Sequence, residues 1–209
     1  MQPDYQKIAK AMLSGLIVAM LAIILVSIIS PKAKAETIKP VAAQSLDAPY
    51  DAKPVWSGIY VGGNAGVVAG VNDLGDGADG YEGGAQVGAL FQIGRLVAGI
   101  ETSYDWAKGT NAGVSVSARK WDISGRLGFL ATDYTLLYAK VSRPNFNNSL
   151  DNHAIGLGIG GGVETMIAKN WSLALEYERD TYNSMPGARD HIGTVRLNYH
   201  LPVLGKLSP

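Results

Sequence analysis

Cysteine is absent from this 209-residue chain, which excludes disulfide frameworks, thiol nucleophiles and thiolate metal sites. Histidine is scarce. His153, His191 and His200 are the three present, and none stands in an HExxH or paired-ligand spacing, so no metal site is expected. Net charge is lacking too, with 18 basic side chains against 18 acidic ones, and so no nucleic acid partner is expected. No G-x-x-x-x-G-K-[ST] phosphate loop accompanies the 26 glycines. The glycine-rich GLGIGGG at 156–162 is followed by no helical period, so no cofactor is expected either.

The chain does begin with a long apolar run. Lys7 and Lys10 precede Met12 to Ile29, Pro31 then breaks any helix, and Ala33-Lys34-Ala35 offers a small-residue cleavage site. Residues 1–35 read as a signal peptide. The run exceeds the ~7–15 residues usual for a secretory core, so an uncleaved inner-membrane anchor is the competing reading. Residues 36–55, ETIKPVAAQSLDAPYDAKPV, have no period and three prolines, and read as an extended periplasmic linker.

From Trp56 to residue 202 the sequence breaks into segments of alternating hydrophobicity, with 203–209 left as a C-terminal extension. The segments run Ser57–Val71, Gly84–Gly94, Arg95–Trp106, Val116–Ala131, Tyr134–Val141, Ala154–Ile167, Trp171–Arg179 and His191–Leu201. An even number of such segments, each near the ~10 residues a tilted strand needs to cross a bilayer, predicts an all-β fold: an eight-stranded antiparallel transmembrane β-barrel.

Successive side chains on a strand point to opposite faces. One face carries Ile59, Val61, Val87, Ile100, Leu127, Leu137, Leu157, Leu175, Leu197 and their in-phase neighbours, without charge. The other holds Asn64, Gln86, Asp105, Asp122, Glu178 and Asn198, together with Glu101, Arg126, Lys140, Glu164, Glu176 and Arg196 from six consecutive segments. A soluble sandwich would turn the apolar face inward. The membrane reading turns it to lipid, and rests on three features. Trp56, Trp106, Trp121 and Trp171 all fall at predicted strand ends, where the aromatic girdle of such a barrel lies. Tight turns at Gly94-Arg95, Thr132-Asp133 and Lys169-Asn170 alternate with long polar loops, NDLGDGADGYEG, AKGTNAGVS, SRPNFNNSLDN and DTYNSMPGARD. Glycines on the charged face leave room in a lumen just wide enough to be filled by side chains.

Several motifs carry a family resemblance. WSGIYVGGNAG resembles the W-[ST]-G-F-Y-[VI]-G-G-N-x-G opening of the small outer-membrane surface proteins of alpha-proteobacteria, a porin-like family with an OmpA-like barrel. GGAQVGALFQIGRLVAGIE, DISGRLGF and LLYAK follow in order, then GLGIGGGVETMIAKNWSLALEYE and TVRLNY. The resemblance covers residues 36 to about 201. It implies a bacterial outer-membrane location, with outer-membrane lipid and lipopolysaccharide, the assembly machinery, and envelope proteins or further copies of the chain as partners.

Buried charges each cost several kcal/mol unless paired. The six inward charges are therefore expected to form a salt-bridge network that plugs the lumen, the alternatives being a narrow polar conduit or a catalytic site. Asp190-His191 and Asp151-Asn152-His153 lie near loop bases, but neighbours on a strand point to opposite faces. No catalytic residue is expected, and the reading is a structural, porin-like surface protein with envelope integrity and loop-mediated interaction as its roles.

Overall fold

The computed structural model describes residues 54–71, 78–111, 114–148, 153–183 and 187–201. The signal peptide read at 1–35, linker residues 36–53 and the extension at 203–209 lie outside them. The described chain forms β1 (Gly58–Val71), β2 (Ala78–Ile93), β3 (Leu96–Asn111), β4 (Val114–Thr132), β5 (Thr135–Asn148), β6 (His153–Ala168), β7 (Trp171–Tyr182) and β8 (Arg189–His200). Neighbours in sequence are neighbours in the sheet, and β1 closes on β8, from Tyr60↔His200 to Val71↔Arg189. Closure leaves no unpaired edge, the condition for a sheet that crosses hydrocarbon.

The period-two pattern decides which way the sheet faces. Ile100 is 69% exposed and Leu127 62%, while the next residues along each strand on the other face, Glu101 and Arg126, are 3% and 5% exposed. A water-soluble barrel has the opposite arrangement. Apolar side chains outside and charges inside suit a barrel whose solvent is lipid.

The strands run further at one end than the alternation predicts. β2 starts at Ala78 rather than Gly84, β5 continues to Asn148 rather than Val141, and β7 reaches Tyr182. Much of each segment read as a polar loop is ladder: Asp79 pairs with Ala69 and with Thr110, and Phe146 with Lys120. Backbone pairing needs no apolar side chain, so a ladder that continues into water loses the hydrophobic alternation but not its hydrogen bonds. At the other end the connections are tight. Gly94, at φ +60°, takes the left-handed turn position that favours glycine. One turn is shifted by a residue, occupying Asp133-Tyr134 rather than Thr132-Asp133.

Above these turns the lumen is filled by an apolar cluster of Trp56, Tyr60, Leu90, Val97, Leu130, Leu136, Tyr138 and Met166. It fits because glycines face the large rings: a Cβ on Gly88 would run into the Tyr60 ring, and one on Gly162 into the Tyr138 hydroxyl. Gly88→Val is therefore expected to destabilise the barrel by about 1–3 kcal/mol through overpacking. Urea unfolding followed by tryptophan fluorescence would measure it.

Candidate functional site

The six charges singled out from the sequence meet in the lumen, each from its own strand, β3 to β8, and each less than a tenth exposed. Arg126 on β4 reaches past β5 to Glu164 on β6, with Nη1 3.1 Å from Oε2. Its Nη2 lies 3.9 Å from Glu101 Oε2. Arg196 bridges two carboxylates, donating from Nη2 to Glu101 Oε1 at 2.5 Å and from Nη1 to Glu176 Oε2 at 2.7 Å. Lys140 Nζ sits 2.9 Å from both Glu176 Oε1 and Glu178 Oε2.

Neutral donors complete the shell around these carboxylates. The Tyr60 hydroxyl donates to Glu101 at 2.5 Å and the Tyr138 hydroxyl to Glu176 at 2.8 Å. Ser172 and Asn198 both donate to Glu164 Oε1, at 2.5 and 2.9 Å. The Arg126 guanidinium lies 4.7 Å from the Tyr60 ring centre and 5.2 Å from that of Tyr138, a cation–π arrangement that supports a desolvated cation on two ring faces. Pairing together with these hydrogen bonds offsets part of the desolvation penalty of the buried charges.

A second charged layer lies further from the tight turns; the sequence reading put its Asn64, Gln86, Asp105, Asp122 and Glu178 on the inward face but passed over Glu82, Lys120 and Asp180. Lys120 Nζ is 3.4 Å from Glu82 and 3.7 Å from Asp180. Ser142 donates to Glu178, and the Ser103 hydroxyl lies 2.7 Å from Asp105 and 2.8 Å from Asp122. Asn64 donates to Gln86 and Asp105 at 3.0 and 2.8 Å. The pocket at this level, lined by Glu82, Asp105, Lys120 and Asp122 among others, is about 20 Å³, room for roughly one water.

Of the tryptophans expected in the girdle, Trp106, Trp121 and Trp171 face outward, at 56%, 45% and 43% exposure. Trp106 packs edge-on against Tyr104 at 4.9 Å, and Trp171 lies tilted against Tyr199 at 5.0 Å. Trp106 and Trp121 stand inside β3 and β4 rather than at their ends, because both strands run on past them. Trp56 corrects the expectation. It is fully buried, its indole N–H donates to the Asp133 carbonyl at 3.1 Å, and its ring lies edge-on to His200. It precedes β1, outside the alternating phase, and so the chain can fold its ring under the lumen with the N–H satisfied.

His191 and its neighbour Asp190 turn to different partners rather than to each other. His191 Nδ1 lies 2.6 Å from the Tyr177 hydroxyl, whereas Asp190 accepts from Tyr182 at 2.8 Å. His153 is exposed, and Asp151 and Asn152 fall outside the described residues. Ser172, His200 and Glu164 do converge, with Ser172 Oγ 2.9 Å from His200 Nε2. Glu164, however, bonds the serine itself and approaches the same imidazole nitrogen at 3.5 Å. A relay needs the carboxylate on the other nitrogen, and Ser172 is fully buried. Among the described residues no group of three or more His, Cys, Asp or Glu side chains is arranged to hold a metal ion.

Known proteins agree with this architecture. A 22 kDa outer membrane protein of Rhizobium leguminosarum bv. viciae is 29% identical over 155 residues, spanning 66% of this chain and 70% of that protein. The crystal structure of Neisserial surface protein A matches with a TM-score of 0.53 at 21% identity, covering 69% of this chain and 98% of that one. The family model for the outer membrane protein beta-barrel domain matches residues 41–200. With lipid-facing apolar side chains, a closed eight-stranded sheet and that match over most of its length, the chain belongs to the outer membrane protein β-barrel family and resides in the bacterial outer membrane.

Proposed function

We propose that this barrel is a structural, surface-exposed protein of the outer membrane, its lumen closed by its own ion-paired side chains, and that it is not an enzyme. The observation that supports this best is the set of ion pairs crossing between non-adjacent strands, Arg126–Glu164, Arg196–Glu101 and Lys140–Glu176. Pairs of this kind fill the lumen rather than line it. The apolar cluster beneath them adds a second barrier to water. In this reading the protein contributes to envelope integrity and offers its outer end for surface contacts. Its partners are the surrounding lipid and lipopolysaccharide, the assembly machinery that folds it, and envelope proteins or further copies of itself.

A narrow conduit for small solutes is the second reading. It is favoured by the acid-rich outer layer, where the Asp122 Oδ1 atom is buried without a hydrogen-bond partner beside the 20 Å³ space. Planar-bilayer recording of the refolded mature barrel separates the two. The plug predicts a flat baseline broken at most by brief events, and a steady open-channel current would reassign the protein as a pore.

A further inference from the structure

The two charged layers of the lumen are not balanced alike. In the layer nearer the tight turns Glu101, Glu164 and Glu176 meet Arg126, Arg196 and Lys140. The outer layer places Glu82, Asp105, Asp122, Glu178, Asp180 and Asp190 on the inward phase, and its own basic side chain among the described residues is Lys120. That charge is already committed. Lys120 is held by Glu82 and Asp180, and Lys140 by Glu176 and Glu178. Asp105 and Asp122, 3% and 2% exposed, have no ion pair with any described residue. Carboxylates buried so deeply are costly unless a positive species sits beside them.

The hydrogen bonds around them point the same way. Ser103 Oγ lies 2.7 Å from Asp105 Oδ2 and 2.8 Å from Asp122 Oδ2, yet a hydroxyl has one proton to donate. One of the two contacts therefore sets oxygen lone pairs against each other with no hydrogen between them. Asp122 Oδ1 is buried without a hydrogen-bond partner, and so is Asn64 Oδ1, whose amide nitrogen donates to Gln86 and Asp105. Asn64, Ser103, Asp105 and Asp122 all line the 20 Å³ pocket. Oxygens of two carboxylates, an amide and a hydroxyl, brought from β1, β3 and β4 around room for one water-sized body, make the donor set of a hard cation.

Charge and room decide which cation. Two uncompensated carboxylates suit a divalent ion, and an all-oxygen set suits calcium or magnesium rather than a transition metal. Magnesium sheds its waters reluctantly and demands a near-ideal octahedron, whereas calcium accepts an irregular set of carboxylate, amide and water oxygens. A pocket with room for roughly one water does not take a hydrated ion. We propose that Asn64, Asp105 and Asp122, with Ser103 between the two carboxylates, hold a calcium ion in the outer part of the lumen. Two carboxylates completed by neutral oxygens differ from a convergence of three acidic ligands. The site holds whether or not the lumen conducts.

The test uses the full mature chain, stripped with EDTA and held folded in a non-ionic detergent at pH 8, titrated calorimetrically with calcium chloride and separately with magnesium chloride. D122N and D105N replace a carboxylate by an amide of the same shape, and D79N does so at an exposed, outward-facing position on β2. Circular dichroism verifies that each variant folds. The expected result is a single calcium bound roughly tenfold or more tighter than magnesium, weakened at least tenfold in D122N and in D105N and unchanged in D79N. Calcium should also raise the melting midpoint of the unmodified protein and leave that of D122N in place. No calcium-dependent heat and no shift of the unmodified protein's midpoint at millimolar calcium would overturn the proposal, whatever the variants do. Undiminished binding by D122N would place the ion elsewhere and overturn it, as would equal affinity for magnesium. A protonated carboxyl band in the infrared spectrum at pH 8 that D122N removes would show a proton in the ion's place, and would overturn it too.

Discussion

Replacing Arg126 with alanine is expected to destabilise the folded barrel by about 3–5 kcal/mol, since it breaks a buried ion pair by removing one partner. Glu101 keeps Arg196 when Arg126 is gone, but Glu164 is left with Ser172, Asn198 and the His200 imidazole at 3.5 Å, a cation only when protonated. Glu164 is fully buried, so its charge is stranded without a close cationic partner. Removing it as well, in R126A/E164A, is expected to cost less than the two single changes together. The recovery will be partial, because the double variant also loses the cation–π contacts with Tyr60 and Tyr138. Equilibrium unfolding of the lipid-reconstituted barrel in guanidinium, run on the four members of this cycle, measures the coupling directly. Strict additivity would mean that Arg126 and Glu164 act independently despite their 3.1 Å contact.

The second large effect lies on the other face. Val87 points outward from β2, paired with Val61 on β1 and Thr102 on β3. Arginine there would place a charge in hydrocarbon well away from either end of the strand. The expected loss is roughly 2–4 kcal/mol if the site is near mid-membrane, falling to about 0–1 kcal/mol near an interface. Ser117→Arg provides the contrast, because Ser117 is exposed on the extended part of β4, beyond Trp121. The two variants compared by the same unfolding assay should differ by most of the Val87→Arg effect. Equal tolerance at both positions would contradict a lipid boundary drawn by the tryptophans.

The sequence made the barrel legible because a membrane strand obeys a strict period of two for as long as it stays in lipid. Glu101, Arg126, Lys140, Glu164, Glu176 and Arg196 could be assigned inward from that phase alone, and their strands follow one another in the sheet. Beyond the membrane the outward residues become polar, the contrast between faces fades, and Glu82 and Asp180 read as loop. The signal that finds them was present. Glu82 keeps phase with Gln86, and Asp180 with Glu176 and Glu178, and carrying that phase past Trp106 and Trp121 recovers the second charged layer. Lys120 lay within a segment already identified and in phase with Asp122 and Arg126. Trp56 was not legible this way, because it stands ahead of the first strand where no phase exists, and its position depends on a cavity made by residues from several other strands.

The closing seam sets an order of events. Seven of the eight strand pairings join consecutive strands, so each hairpin forms across a short connection at small loop-closure cost. The eighth joins β1 to β8 across the whole domain and comes last, as pairing between distant segments is the slow step of β-sheet formation. Until then both terminal strands are open edges, able to pair with another chain. Contacts at the foot of that seam, Leu201 N–H to the Ile59 carbonyl at 2.8 Å and Trp56 against the His200 ring, can form only once the ends meet. They act as a latch on the finished cylinder, so weakening them should lengthen the time the unclosed sheet is vulnerable to aggregation more than it lowers the stability of the closed one.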